Sequence, residues 1–286
     1  MPDPYEFPLA LDCKRKQVDL GHGLLLRLMS DADRQRLFGI YRVKLDSDGR
    51  VVSYRSSALG NDFLRPDLER TVTFYASNYL LACEDFERAL DLNFALKLVG
   101  RSWSSLYIGY RKDGAVGFNS PPGYFGKARL VLGERTLGEV KKYLQAIEAR
   151  SADTKLRLMR DMWMHAMSDE PRREARFVEI STLLEMLLLP TQANELAFRF
   201  ALRLAKLVEH FRLGSATTAF EEAKALYAVR SRLVHSGHDS RLSQHEEPAF
   251  EYARAFLAKY LLSTSIFDDA ALDKLCVGAN RVARGF

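Results

Sequence analysis

The chain has 286 residues, 47% of them hydrophobic, which allows two domains with cores of their own and excludes disorder as the main state. Its formal charge of +5 is a mild excess, split as 23 basic against 19 acidic residues in 1–150 and 19 against 18 in 151–286. A nucleic-acid partner would therefore have to be held by local clusters rather than by the overall field.

The longest apolar stretches, such as "LLEMLLLP" at 183–190, fall well short of the roughly 20 residues of a spanning helix, so no membrane span is expected and no membrane is among the expected partners. The three cysteines, Cys13, Cys83 and Cys276, lie far apart and are odd in number, which suggests neither a disulfide framework nor a paired-thiol zinc site. The start, "MPDPYEFPLALDCKRKQ", lacks the basic and apolar pattern of a secretion signal. The expectation is a cytoplasmic protein.

Residues 1–150 read as an α+β domain. "GIYRVKLDSDGRVVSYRSS" at 39–57 alternates on both sides of Asp46-Ser47-Asp48-Gly49 and predicts a hairpin. "YASNYLLACEDFERALDLNFALKLVG" at 75–100 has apolar residues at helical spacing and ends in Gly100, which predicts a helix. "SSLYIGYR" and "AVGFNS", separated by Lys112-Asp113-Gly114, predict a second hairpin. "NSPPGYFGKA" at 119–128 reads as a loop, either a plain connection or a surface for a partner.

From Thr136 the pattern is helical almost without a break, so residues 151–286 are expected to form an all-α domain. Start signals recur as Thr136 with Glu139, Asp169 with Pro171, Thr218 with Glu221, and Ser243 with Glu246. They place helices near 137–149, 153–167, 171–189, 194–211, 218–236, 244–263 and 269–279, and the short connections imply an antiparallel bundle.

"LYAVRSRLVHSG" at 226–237 is the densest run of chemistry-bearing side chains. Leu226, Val229 and Leu233 form the core stripe of a helix, while Ser231 and His235, four apart, share a face almost opposite to it. Arg230 stands at the edge of that face, with Tyr227 between the two groups. One reading is a solvated helix face, closed by Gly237 and with His235 placed where a cation suits the helix dipole. The other is a site.

The stretch resembles the end of the HEPN domain family, whose pattern of an arginine, a polar residue, three residues and a histidine is met by Arg230, Ser231 and His235. "RFVEISTLLEMLLLP" and "ELAFRFALRLAKLVEHF" are similar to the preceding helix pair in the ApeA-like branch, and the resemblance covers about 170–263. That branch often has glycine directly after the histidine; here Ser236 precedes Gly237. The resemblance implies an all-α HEPN-like bundle that cleaves RNA without metal or other cofactor, as a homodimer, in defence or toxin proteins. It implies that the N-terminal domain senses or recruits a trigger ligand or protein.

The side chains suit that chemistry. Histidine as a residue type can take a proton from a ribose 2′-hydroxyl or give one to a leaving 5′-oxygen. Arginine can hold the phosphate oxygens through parallel hydrogen bonds. Ser231 can position water or phosphate, and Tyr227 supports the arc. A non-catalytic HEPN module for dimerisation or for nucleotide or RNA binding is the alternative. A metal-dependent nuclease would need converging carboxylates, which the sequence does not supply, and no acidic cluster accompanies His235-x-x-His238.

Glu185, with apolar neighbours on both sides, either pairs with Arg203 or Arg230 or points outward. If it pairs with Arg230, it orients that arginine. Arg172, Arg173 and Arg176 are read as an RNA-backbone contact or a solvated helix end. Trp163 and Trp103 are read as base-stacking surfaces or core residues.

Overall fold

The computed structural model describes residues 5–9, 11–38, 40–45, 51–56, 78–100, 108–111, 114–117, 130–168, 171–190 and 195–278. The turn at 46–49, Lys112 and Asp113, Trp103, the loop at 119–128 and Asp169 lie outside these residues. By compactness the chain divides into Met1–Gln145 and Ala146–Phe286.

The first unit holds a six-stranded sheet in the order β3-β4-β7-β1-β8-β9, antiparallel at every pairing. Its strands are β1 (Tyr5–Leu9), β3 (Gln17–Gly21), β4 (Leu24–Leu28), β7 (Tyr79–Cys83), β8 (Ile108–Arg111) and β9 (Gly114–Gly117). β2 (Leu11–Cys13) pairs in parallel with β10 (Leu130–Leu132), and β5 (Ile40–Leu45) pairs antiparallel with β6 (Val51–Ser56). Both hairpins expected from alternation are present as β5–β6 and β8–β9.

The helix expected over 75–100 is shorter than its pattern. Tyr79–Cys83 is a strand between β4 and β1, and α2 (Phe86–Val99) begins only after Asp85, whose side chain accepts from the Glu87 N–H at 3.0 Å. "YLLAC" is buried along most of its length, so it shows no alternation, and a short apolar run of that kind looks the same in a buried strand and a buried helix. The small α1 (Asp31–Phe38) follows β4.

α3 (Glu134–Ala149) runs across the division between the units. The second unit then contains α4 (Thr154–Ala166), α5 (Arg173–Leu188), α6 (Leu196–His210), α7 (Ala216–Ser236), α8 (Leu242–Leu262), a 3₁₀ turn at Ser265–Phe267 and α9 (Asp269–Cys276). An antiparallel sheet followed by a helical region is the α+β then all-α order expected. α6 packs along α7, α5 lies against α4, α7 and α8, and α9 sits on α6. The core is built from Trp163, Phe177, Ile180, Leu184, Phe200, Leu204, Leu226, Val229, Phe256 and Leu257, all at most 2% exposed.

The helix starts differ from the capping-box reading. α3 begins at Glu134, with Leu137 N–H donating to the Gly133 carbonyl at 2.9 Å, so Thr136 lies inside the first turn. α7 is capped by Ser215, whose hydroxyl accepts from the Thr218 N–H, rather than by Thr218. α8 starts one residue before Ser243, and Glu246 does not close a box because its buried carboxylate is taken by Arg173 of α5. At the other end of α7, Gly237 adopts φ 72°, the left-handed region that glycine enters freely, and donates to the Leu233 carbonyl at 2.9 Å.

Candidate active site on α7

α7 presents the core stripe and the polar arc as its spacing requires. Leu226, Val229 and Leu233 are buried, Tyr227, Arg230 and Ser231 are half-buried, and His235 is exposed. The end of the helix that carries His235 is held firmly. Ser236 donates its hydroxyl to the Arg232 carbonyl at 2.7 Å, Arg232 pairs with buried Asp239, and Asp239 also accepts from the Arg241 N–H at 2.8 Å. The loop after Gly237 is thus tied back to α7, and the last turn does not depend on helix hydrogen bonds alone.

Arg230 points toward α5. Its Nη2 is 2.8 Å from Glu185 Oε2, with the two side chains 26% and 20% exposed. Its Nε is buried and has no hydrogen-bond partner among the described residues. Burial pushes the Glu185 carboxyl above the ordinary glutamate range, against the downward pull of Arg230, so desolvation outweighs the ion pair. The Tyr227 hydroxyl is pushed up by burial and then by the charge of Glu185, offset by Arg230. Ser181, Glu185, Phe200, Leu226, Tyr227 and Arg230 line one crevice, too tight to hold water.

Of the partners open to Glu185, the structure selects Arg230. Arg203 does not reach it. Arg203 is 1% exposed and donates to the Leu188 carbonyl, to Asp269 and to Asp273, each at 2.7 Å. Its role is to fasten α9 and the end of α5 to α6. The reason is distance along the chain: Asp269 and Asp273 lie 66 and 70 residues beyond Arg203, where sequence spacing gives no hint of contact.

The basic helix start also divides. Arg172 is exposed, Arg173 is engaged by Glu246, and Arg176 is buried with its Nη2 donating to the Ser168 and Pro171 carbonyls at 3.1 and 3.2 Å. Arg176 is therefore neither an RNA-backbone contact nor a solvated helix end. It closes the turn that leads into α5. Trp163 is a core residue, tilted against Phe250 at 5.9 Å between ring centres. Ser181 and Phe200 join the crevice without having been singled out. Ser181 lies one turn before Glu185, a spacing that puts both on one face, whereas nothing in the sequence marks Phe200 apart from other core aromatics.

Neither Ser231 nor His235 makes a side-chain hydrogen bond among the described residues, and no group of three or more His, Cys, Asp or Glu side chains there is placed to hold a metal ion. The arc therefore offers a held guanidinium, a hydroxyl and an imidazole along one helix, with the last two open to a ligand.

Compared with family models, curated proteins and solved structures, the chain matches none. No helix among the described residues is long and apolar enough to cross a membrane.

Proposed function

We propose that this chain is a metal-independent endoribonuclease of the HEPN type, with Arg230 and His235 as its catalytic residues and Ser231 and Tyr227 beside them. The observation that carries the reading is the placing of Arg230: anchored at one nitrogen by Glu185, on the rim of an arc whose Ser231 and His235 have no partner within the described residues. A guanidinium fixed from behind is oriented before the phosphate arrives, which favours stabilisation of charge that grows in the transition state.

In this reading His235 removes the proton from the ribose 2′-hydroxyl. The 2′-oxygen then attacks phosphorus, the bond to the 5′-oxygen breaks, and the leaving oxygen takes a proton from an acid on the opposite side. The products are a 2′,3′-cyclic phosphate and a free 5′-hydroxyl. Arg230 holds the non-bridging oxygens, and Ser231 donates a hydrogen bond to the phosphate. Each copy supplies one imidazole, so a homodimer with two α7 helices facing each other supplies both acid and base. The α+β unit is then the part that receives a trigger ligand or protein, in a defence or toxin setting in the cytoplasm.

The test is to incubate purified protein with defined oligoribonucleotides in excess chelator and map the product ends. Cyclic phosphate ends, and resistance of a substrate carrying 2′-deoxyribose at the cut, are expected. A requirement for added divalent metal would overturn the mechanism.

A further inference from the structure

The stripe of α7 that carries Ser231 and His235 continues toward the other end of the helix through Tyr227, Lys224 and Phe220, at successive spacings that keep all five on one face. At its far end the rings of Phe220 and Phe198 of α6 meet edge to face, 6.0 Å between centres and 78° between planes. The Lys224 ammonium lies 5.5 Å from the centre of the Phe220 ring.

This aromatic pair is not a piece of core. Phe200, two residues along α6 and tilted against Tyr227 at 5.4 Å, is buried, whereas Phe198 is 54% exposed, next to the exposed Leu196. Lys224 is exposed, and its pair with Glu221 at 3.2 Å is a surface pair of the kind that exchanges readily for another anion.

We infer that Phe198, braced edge to face by half-buried Phe220, is a stacking platform for a nucleobase of single-stranded RNA, with Lys224 on the adjoining phosphate, upstream or downstream of the phosphate cut beside Arg230 and His235. The inference rests on the ribonuclease reading and adds the form of the substrate. Eleven residues of helix separate Phe220 from Ser231, about 16 Å at the helical rise. That span covers a few nucleotides of an extended strand, so the platform holds a base some positions away from the cut, not the base at the cut. A strand tracked by a cation and stacked on an exposed ring is read without regard to sequence, because every base has a π-face. A duplex keeps its bases inside and offers nothing to Phe198.

The test uses the whole chain with His235→Ala, so that bound RNA stays intact, and fluorescent decanucleotides as single strands and as blunt-ended duplexes. Adding Phe198→Ala is expected to weaken single-strand binding about tenfold. Phe198→Trp is expected to restore it, and Phe198→Leu, which keeps the apolar contact and the fold, is not. Photoactivatable uridines placed singly along the strand are expected to crosslink to Phe198 or Phe220. Equal affinity for the single strand in Phe198→Ala and parent, equal affinity for duplex and single strand, or a Phe198→Ala change that dissociates a dimer while leaving RNA affinity intact, overturns the platform. Because the readout is binding, these results are separate from cleavage. Loss of the platform with retained metal-free cleavage leaves the ribonuclease reading standing.

Discussion

Arg203 and Arg230 sit on adjacent helices of one bundle, and their surroundings differ in kind. Arg203 is sealed in, with two carboxylates and a backbone carbonyl on its guanidinium. Arg230 has one carboxylate, a buried Nε without a partner among the described residues, and a quarter of its side chain open. A saturated arginine holds a structure together. An arginine held at one corner is available to something that arrives later.

The largest effect expected from this contrast is on cleavage. His235→Ala and Arg230→Ala should each lower the rate by on the order of 10² to 10⁴, because a positioned proton-transfer group or phosphate donor supplies that much. Arg230→Lys should rescue poorly, since a point charge does not reproduce the planar fork. His238→Ala, in the loop after α7, and His245→Ala, on α8, should retain activity. His235→Ala, His238→Ala and His245→Ala should unfold in urea near the parent midpoint. Full activity in His235→Ala would return the arc to a solvated helix face.

The opposite pattern is expected at the other arginine. Arg203→Ala should cost about 3 kcal/mol of stability, since it strips the Leu188 carbonyl and Asp269 of their donor, leaves Asp273 to Arg199 alone and opens a cavity under α9. Arg203→Met, which fills the space, should cost less. Protease sensitivity should appear first at α9, because Asp269 and Asp273 are its ties to α6. If either variant lost cleavage while keeping the parent's urea midpoint, the division of labour between the two arginines would be wrong.

The two sites were unequally legible. Ser231 and His235 on one face, with Leu226, Val229 and Leu233 on the other, follow from periodicity alone, because a helix converts spacing into direction. The seven helices from residue 134 onward were legible for the same reason, to within a few residues at each end. Ion pairs between helices are not local. Glu185 had two arginines to choose from, and only packing of α7 on α5 decides for Arg230. Arg176 shows the converse error: a basic residue in a first helical turn looks solvated, yet the incoming chain folds over it and supplies carbonyls. Caps were misread where a tertiary partner took the capping group, as Arg173 takes Glu246. β7 was misread because a strand buried on both faces loses its alternation.

The smallest effects expected are the most discriminating, because the two regions should respond to pH with opposite sign. Hydrogen bonding to Arg203, against a smaller cost of burial, holds Asp273 below the ordinary aspartate range. An acid whose folded pKa is lowered contributes stability above its unfolded pKa and loses it as pH falls through the folded value. Glu185 is raised by burial in spite of Arg230. Its contribution is full below its unfolded pKa and is lost as pH rises through the folded value, so at neutral pH the ionised carboxylate is a liability that Arg230 only partly offsets. Urea midpoints followed from acid to neutral pH should therefore fall less steeply toward acid in Asp273→Asn than in the parent. In Glu185→Gln the decline toward neutral pH should disappear, and the variant should be no less stable than the parent at pH 7. Cleavage by Glu185→Gln should nevertheless drop, because an amide holds Arg230 without the charge that fixes its direction. A Glu185→Gln protein that is clearly destabilised at neutral pH would show the pair to be a structural bond of the Arg203 kind, and would remove the observation on which the catalytic assignment of Arg230 rests.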